Sequence, residues 1–118
     1  MIKLKFDIKP ISKDNCKITN RQGRQFLPQK YKDWEIVVGL MAKTQYKDKP
    51  LECELEVWCW FVFKDNRRRD VGNYQKSILD ALKGICYGDD SQITILHLCK
   101  IVSDKECIEM QINEIKER

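Results

Sequence analysis

Leu51–Phe63, LECELEVWCWFVF, decides how the rest of the chain is read. Leu51, Cys53, Leu55, Val57, Cys59 and Phe61 fall at every second position, and Trp58, Trp60 and Val62 fill positions between them. A period of two marks a strand, because successive side chains point to opposite faces. A strand that becomes apolar on both faces belongs in the centre of a sheet, covered on both sides. Its most apolar part, Val57–Phe63, is far too short to cross a bilayer.

Upstream, Ile2, Leu4, Phe6 and Ile8 alternate with polar residues, a second strand that Pro10 ends. Residues 12–28 are polar and basic, punctuated by Gly23 and Pro28, and read as a loop or hairpin. Pro28 to about Thr44 places Tyr31, Trp34, Val37/Val38 and Met41 at helical spacing. Lys49-Pro50 then breaks the chain ahead of the central strand. Downstream, Lys64–Arg69 is a basic loop and Asp70 is suited to cap the helix that follows, about 71–83. That helix carries Val71, Tyr74, Ile78 and Leu82 on one side and Asn73, Lys76 and Asp80 on the other, and Gly84 stops it. After a turn ending in Gly88-Asp89-Asp90, Ile93–Val102 and Cys107–Ile115 read as strands, joined as an antiparallel hairpin by Ser103–Glu106. The order β-α-β-α-β-β predicts an α+β class: one domain over residues 1–118, a mixed sheet with helices packed on it.

The chain has 118 residues, enough to bury one core without metal or disulfide staples. With 42% hydrophobic and 34% charged residues it is neither disordered, collagen-like nor membrane-spanning. The N-terminus, MIKLKF, lacks the continuous apolar core of a signal peptide, so a soluble, cytoplasmic protein is expected. The net charge of +4 is uneven: residues 1–32 sum to +7, residues 33–63 to −3, and residues 64–118 to zero. Positive charge is thus concentrated in the N-terminal third and at Arg67-Arg68-Arg69, as suits a polyphosphate backbone or, equally, a solvated loop. None of the six cysteines has C-x-x-C spacing and His97 is the sole histidine, so a Cys/His zinc site is poorly supplied. Most of the cysteines read as reduced core residues.

Carboxylates are the remaining chemistry. Mg²⁺ takes hard oxygen ligands, typically a few carboxylates with water and substrate phosphate. Asp70 heads the second helix and Asp89-Asp90 follow it. A helix of that length spans roughly 20 Å at 1.5 Å per residue, so Asp70 meets Asp90 only if the chain doubles back after Gly84; Asp80 shortens the gap. Each residue has a plainer reading too: a cap for Asp70, turn chemistry for Asp89-Asp90, a solvated helix face for Lys76 and a sheet face for His97.

Arg67-Arg68-Arg69-Asp70-Val71-Gly72-Asn73-Tyr74-Gln75-Lys76, then Asp80-Ala81-Leu82, then Asp89-Asp90-Ser91-Gln92-Ile93, together resemble the RusA family of Holliday junction resolvases. The family pattern is a basic stretch, D-x-D-N-x-x-K, a D-A/S-L segment and D-D-x-Q leading into a strand. Upstream, Asn20–Arg24 and the helix near Tyr31–Trp34 are similar to the family's basic loop and first helix. The resemblance implies a homodimeric endonuclease, dependent on Mg²⁺ with Mn²⁺ as a substitute, that nicks four-way DNA junctions in opposing strands during recombination and repair. Carried over residue by residue, it makes Asp70, Lys76 and Asp90 catalytic and Asp70 and Asp90 metal ligands; Asp80, on the polar face of the same helix, is a candidate to serve as a further ligand. Lys64, Arg67, Arg68, Arg69, Arg21 and Arg24 would track DNA phosphates, which position a substrate without reading bases. Lys76 would stabilise charge on the phosphate as a point cation.

Gly72 departs from the pattern, standing where the family usually has the second aspartate. Either other carboxylates fill the gap, or the site is slow, or the chain is a junction-binding paralogue that no longer cuts. A plain α+β interaction module without a nucleic-acid partner is the remaining rival. Apolar bulk at Trp58, Trp60 and Phe61–Phe63 permits the implied dimer.

Overall fold

In the computed structural model, which describes residues 1–116, the chain runs β1 (Ile2–Phe6), α1 (Lys13–Cys16), β2 (Ile18–Thr19), β3 (Gln25–Phe26), α2 (Gln29–Gln45), β4 (Leu55–Phe63), α3 (Gly72–Leu82), β5 (Ile93–Val102) and β6 (Cys107–Glu114). One 3-10 turn, Asp90–Gln92, leads into β5. The main sheet has the order β1-β6-β4-β5, with β4 antiparallel to β6 and parallel to β5. The α+β class and mixed sheet expected from the sequence are therefore present. The basic segment 12–28 contains a one-turn helix and a small hairpin, β2–β3.

The apolar strand takes the centre, since both its edges need hydrogen-bonding neighbours and it has the most apolar surface to hide. Leu55, Val57, Cys59, Phe61 and Phe63 point to one face and are buried there beneath α2 and α3. Tyr31, Trp34, Val38 and Ala42 come down from α2, and Ile78 and Leu82 from α3. The helices approach closely at Gly39, where a Cβ would stand 3.3 Å from Ile85 Cδ1. Of the pair Val37/Val38, Val38 is buried on the inner face, with Gly39 and Ala42, and Val37 is exposed. The outer edge of β1 is blocked by a side chain, because the Gln45 amide accepts from Lys5 N at 2.8 Å and donates to Lys5 O at 2.9 Å.

Three expectations are corrected. β5 and β6 do not form a hairpin: β4 lies between them, and Ser103 N–H donates to Phe63 O at 2.8 Å as the connection crosses the end of β4. Two strand spacings of about 4.8 Å are within reach of the residues of that turn, so its polar composition suits a crossing as well as a hairpin. The regular strand begins at Leu55 rather than Leu51, and Leu51 makes an isolated bridge with Tyr87. The sheet is covered by helices on one face only. Phe61 and Phe63 are spent in that core, while Trp58 and Trp60 lie half-buried on the open face. There His97 stacks on Trp58 with ring centroids 3.7 Å apart and brings Nε2 within 3.0 Å of Glu56 Oε2, a sheet-face histidine as expected. All six cysteines are free; Cys59, Cys86 and Cys107 are buried and the other three half-buried.

Candidate active site

The site is built around α3. The helix begins one residue later than the sequence suggested, so its N-cap is Val71, which offers no side-chain cap; Asp70 stands just ahead of it, its Oδ1 accepting the Gly72 N–H at 2.9 Å. Gly72, Lys76, Leu79 and Lys83 then follow at spacings of four, three and four, so they share one side of the helix and its last turn. At the far end Gly84 adopts φ +78°, a conformation that L side chains rarely adopt, and turns the chain back. Gly84 N–H donates to Tyr87 O at 2.7 Å, and the buried Tyr87 hydroxyl donates to Leu79 O. Burial holds that phenol well above its ordinary range.

This reversal returns Asp89 and Asp90 to the side of α3. Asp89 caps the 3-10 turn by accepting from Ser91 N at 3.1 Å, and these bonds hold its carboxyl below the ordinary carboxylate value. Asp90 lines an open cleft of about 420 Å³ with Gln75, Lys76, Leu79, Ile93 and Leu96. Lys76 and Asp90 are thereby brought together, as the resemblance implies.

Asp80 arrives at the same place from the helix. Its Oδ2 accepts from Lys13 Nζ at 3.0 Å and its Oδ1 lies 3.7 Å from Lys83 Nζ. The same Lys83 ammonium is 3.6 Å from Asp90 Oδ1 and 3.7 Å from Asp89 Oδ1. Asp90 foremost, with Asp80 and Asp89, raises the Lys83 pKa above its ordinary value. Asp80 is only 19% exposed, and with Lys13 N–H bonded to the buried Ser77 Oγ at 2.8 Å it ties α1 to α3.

Asp70 is not part of this gathering. It stays at the head of α3, about 15 Å along the axis from Asp80 at 1.5 Å per residue. Among the described residues, no three His, Cys, Asp or Glu side chains are already set to hold a metal ion. The donor type nevertheless suits one: Asp80, Asp89 and Asp90 offer hard oxygens and already gather around a single cation, Lys83.

Gln92 is the residue that sequence reasoning missed. Its Oε1 accepts from Gly88 N at 2.9 Å and Asp89 N at 3.0 Å, and its Nε2 donates to Leu51 O at 2.8 Å and Cys53 O at 2.9 Å. One amide thus clamps the Asp89-Asp90 turn to the segment that leads into the central strand. The signal available was its place in the D-D-x-Q segment.

The basic residues divide. Arg21 and Arg24 are exposed at the β2–β3 turn, which Asn20 Oδ1 pins by accepting from Gln22 N and Arg24 N. Arg67 and Arg68 are exposed beside α3, and Lys64 lines a groove with Lys5, Lys9 and Lys105. Arg69 turns inward: 14% exposed, it bonds Asp65 Oδ1 at 2.9 Å and lies 4.2 Å over the Phe63 ring. Its guanidinium anchors its own loop, unlike the exposed Arg67 and Arg68.

This arrangement has relatives. The family model described as Endodeoxyribonuclease RusA matches residues 7–113. A crossover junction endodeoxyribonuclease RusA of Aquifex aeolicus (strain VF5) is 26% identical over 105 residues, covering 87% of this chain and 83% of that protein. The uncharacterized protein YqaN of Bacillus subtilis (strain 168) is 35% identical over 54 residues, 46% of this chain and 38% of the relative. With the family model spanning nearly the whole chain, the basic loop, the helix after it and the returning aspartates sit in a protein that belongs to the RusA endodeoxyribonuclease family.

Proposed function

We propose that residues 1–118 act as one endonuclease domain that resolves four-way DNA junctions by paired nicks, in recombination and repair. The observation that carries this is the shared cleft: Lys76 and Asp90 line it together, and Asp90 belongs to a gathering of carboxylates around Lys83. Family membership supplies the reaction class, hydrolysis of a DNA phosphodiester.

Asp90, with Asp80 and Asp89 beside it, would hold Mg²⁺ or Mn²⁺; Asp70 is the further carboxylate that the resemblance assigns. A divalent ion there supplies water of lowered pKa and neutralises charge on the phosphate. Lys76 places a point cation against the scissile phosphate across the cleft from Asp90. Arg21, Arg24, Lys64, Arg67 and Arg68 contact flanking phosphates and set the register without reading sequence. The proposed place of action is the cytoplasm, on nucleoid DNA if the source is bacterial or phage.

Two coordinated nicks call for two sites, so the reading includes a homodimer whose two-fold matches that of the junction. The open sheet face supports it: Trp58 and Trp60 stack there at 5.7 Å, flanked on β5 by exposed Ile95 and Ile101.

One observation favours the second reading, a junction-binding paralogue that cuts weakly or not at all. Gly72 brings no carboxylate, and its N–H engages the neighbouring Asp70. A synthetic four-way junction incubated with Mg²⁺ separates the two: symmetric nicks support the resolvase, whereas binding that stays silent with both Mg²⁺ and Mn²⁺ supports the paralogue. Absence of salt-sensitive junction binding would overturn both.

A further inference from the structure

We propose that Phe26, with Ile18 beside it, is a base-contacting surface: its ring stacks on a nucleobase left uncovered where the arms of a junction part, and so sets a preference for branched over linear DNA. The inference deepens the reading above and rests on its junction substrate.

Ile18 and Phe26 are direct cross-strand partners in the β2–β3 hairpin, so their side chains share one face. They are 44% and 46% exposed. The hairpin pairs only two residues of each strand, and so small a ribbon has no core of its own that would call for an apolar pair. Its setting is cationic. Between Asp14 and Asp33 the chain carries Lys17, Arg21, Arg24, Lys30 and Lys32 and no acidic residue. An aromatic ring among such cations is the composition that holds unstacked nucleic acid, the cations taking the backbone and the ring a base face.

The hairpin is also firmly mounted. Asn20 N–H donates to Arg24 O and Gly23 N–H to Asn20 O, each at 3.0 Å, which closes the turn. Just before the hairpin, Lys13 is fixed to α3 twice, its N–H donating to the buried Ser77 Oγ at 2.8 Å and its Nζ to Asp80 Oδ2 at 3.0 Å. Just after it, Leu27 packs against the core. Phe26 is therefore presented from an element tied to the helix that carries Lys76, and little order has to be gained on binding.

In a continuous duplex each base is covered on both faces, so the ring could reach one only by prising a step apart. At a branch point stacking is already interrupted and that cost is reduced. Arg21 and Arg24 would meet phosphates in either DNA, whereas Phe26 gains a partner only in the branched one. It is a specificity-determining residue.

The test is anisotropy binding of the full chain, in EDTA so that nothing is cut, to a synthetic four-way junction and to a linear duplex of the same arm sequence. Phe26→Ala should weaken junction binding about fivefold or more and leave duplex binding, and its slope against log salt, unchanged. Phe26→Leu keeps an apolar contact with Ile18 but has no π-face, and should lose most of the same preference; Phe26→Trp should keep it. Arg24→Ala should weaken binding to both DNAs. A 2-aminopurine at the branch point should change its emission when wild type binds and keep it when Phe26→Ala binds. If Phe26→Leu loses both DNAs equally, or neither, Phe26 is not a base contact, while the junction reading stands. If wild type does not bind the junction, that reading fails and the role of Phe26 falls with it.

Discussion

The Gly72 N–H donates to Asp70 Oδ1 at 2.9 Å, so the carboxylate that heads α3 serves the backbone of the residue where the family usually carries a second aspartate. A Cβ at Gly72 would stand 3.1 Å from that same oxygen, the far end of a movable side chain. Gly72→Asp is therefore accommodated by a small shift of Asp70. The new carboxylate would sit one turn before Lys76 on the same side of the helix. Replacing glycine near a helix start and placing an acid there both favour the helix, against repulsion from Asp70. The expected outcome is faster junction cutting at limiting Mg²⁺, measured as initial rate against metal concentration. An unchanged metal requirement would show that ligand loss at Gly72 is not what limits the enzyme.

Gln92 makes four hydrogen bonds through one amide. Gln92→Ala leaves two carbonyls and two N–H groups without that partner, at a cost of about 2 kcal/mol after water replaces some of the bonds. Thermal melting should show the loss. Junction cutting measured well below the melting range should fall as well, because Asp89 and Asp90 ride on the clamped turn. Lost stability with full activity would mean that the clamp serves the fold alone.

Arg68 and Arg69 are neighbours with opposite fates. Arg68→Ala should lower junction affinity and reduce the slope of log affinity against log salt by about 1, with no change in melting. Arg69→Ala removes the contacts to Asp65 and the Phe63 ring, and should cost about 1–2 kcal/mol of stability. Binding isotherms at several salt concentrations and thermal melts together check the pair, and equal effects on both readouts would contradict the division.

The open sheet face carries an acid-sensitive contact. The hydrogen bond from His97, then that from Asn113, holds the Glu56 carboxyl below its ordinary value of 4.5. A carboxyl depressed in the folded state contributes stability that is present above the unfolded pKa and is lost as pH falls through the folded one. Melting temperature should therefore decline below about pH 4.5 partly on this account, and Glu56→Gln should flatten that part of the profile. An identical profile in the variant would show that the contact carries no linkage.

Much of this was legible in residues 51–63. Period-two alternation is a local property, so β4, its core face and its central place could be read directly. The partners of β4 could not. A polar turn such as Ser103–Glu106 serves a hairpin and a crossing equally, and only the need of β4 for neighbours on both edges decides between them. Asp70, Lys76 and Asp90 stood out through the motif string that resembles the family pattern; on local patterns alone they read as a cap, a solvated helix face and a turn. Gln92 did not, since its carbonyl partners Leu51 and Cys53 lie 41 and 39 residues away. Lys83 read as an ordinary basic residue at a helix end, where it complements the dipole. Two of its three carboxylate neighbours, Asp89 and Asp90, are there only because Gly84 reverses the chain. Asp70 stays at the head of α3, and the chain, once reversed at Gly84, brings Asp90 back along the helix as far as Gln75 and Lys76.

The central claim is the proposal that Asp90, which lines one cleft with Lys76, holds the metal used to cut DNA. It is tested most directly by nicking of a synthetic four-way junction in Mg²⁺ by wild type and Asp90→Asn. The account predicts symmetric nicks from wild type, and from Asp90→Asn a rate lower by at least about a hundredfold with junction binding retained. Cutting by Asp90→Asn at the wild-type rate would contradict it.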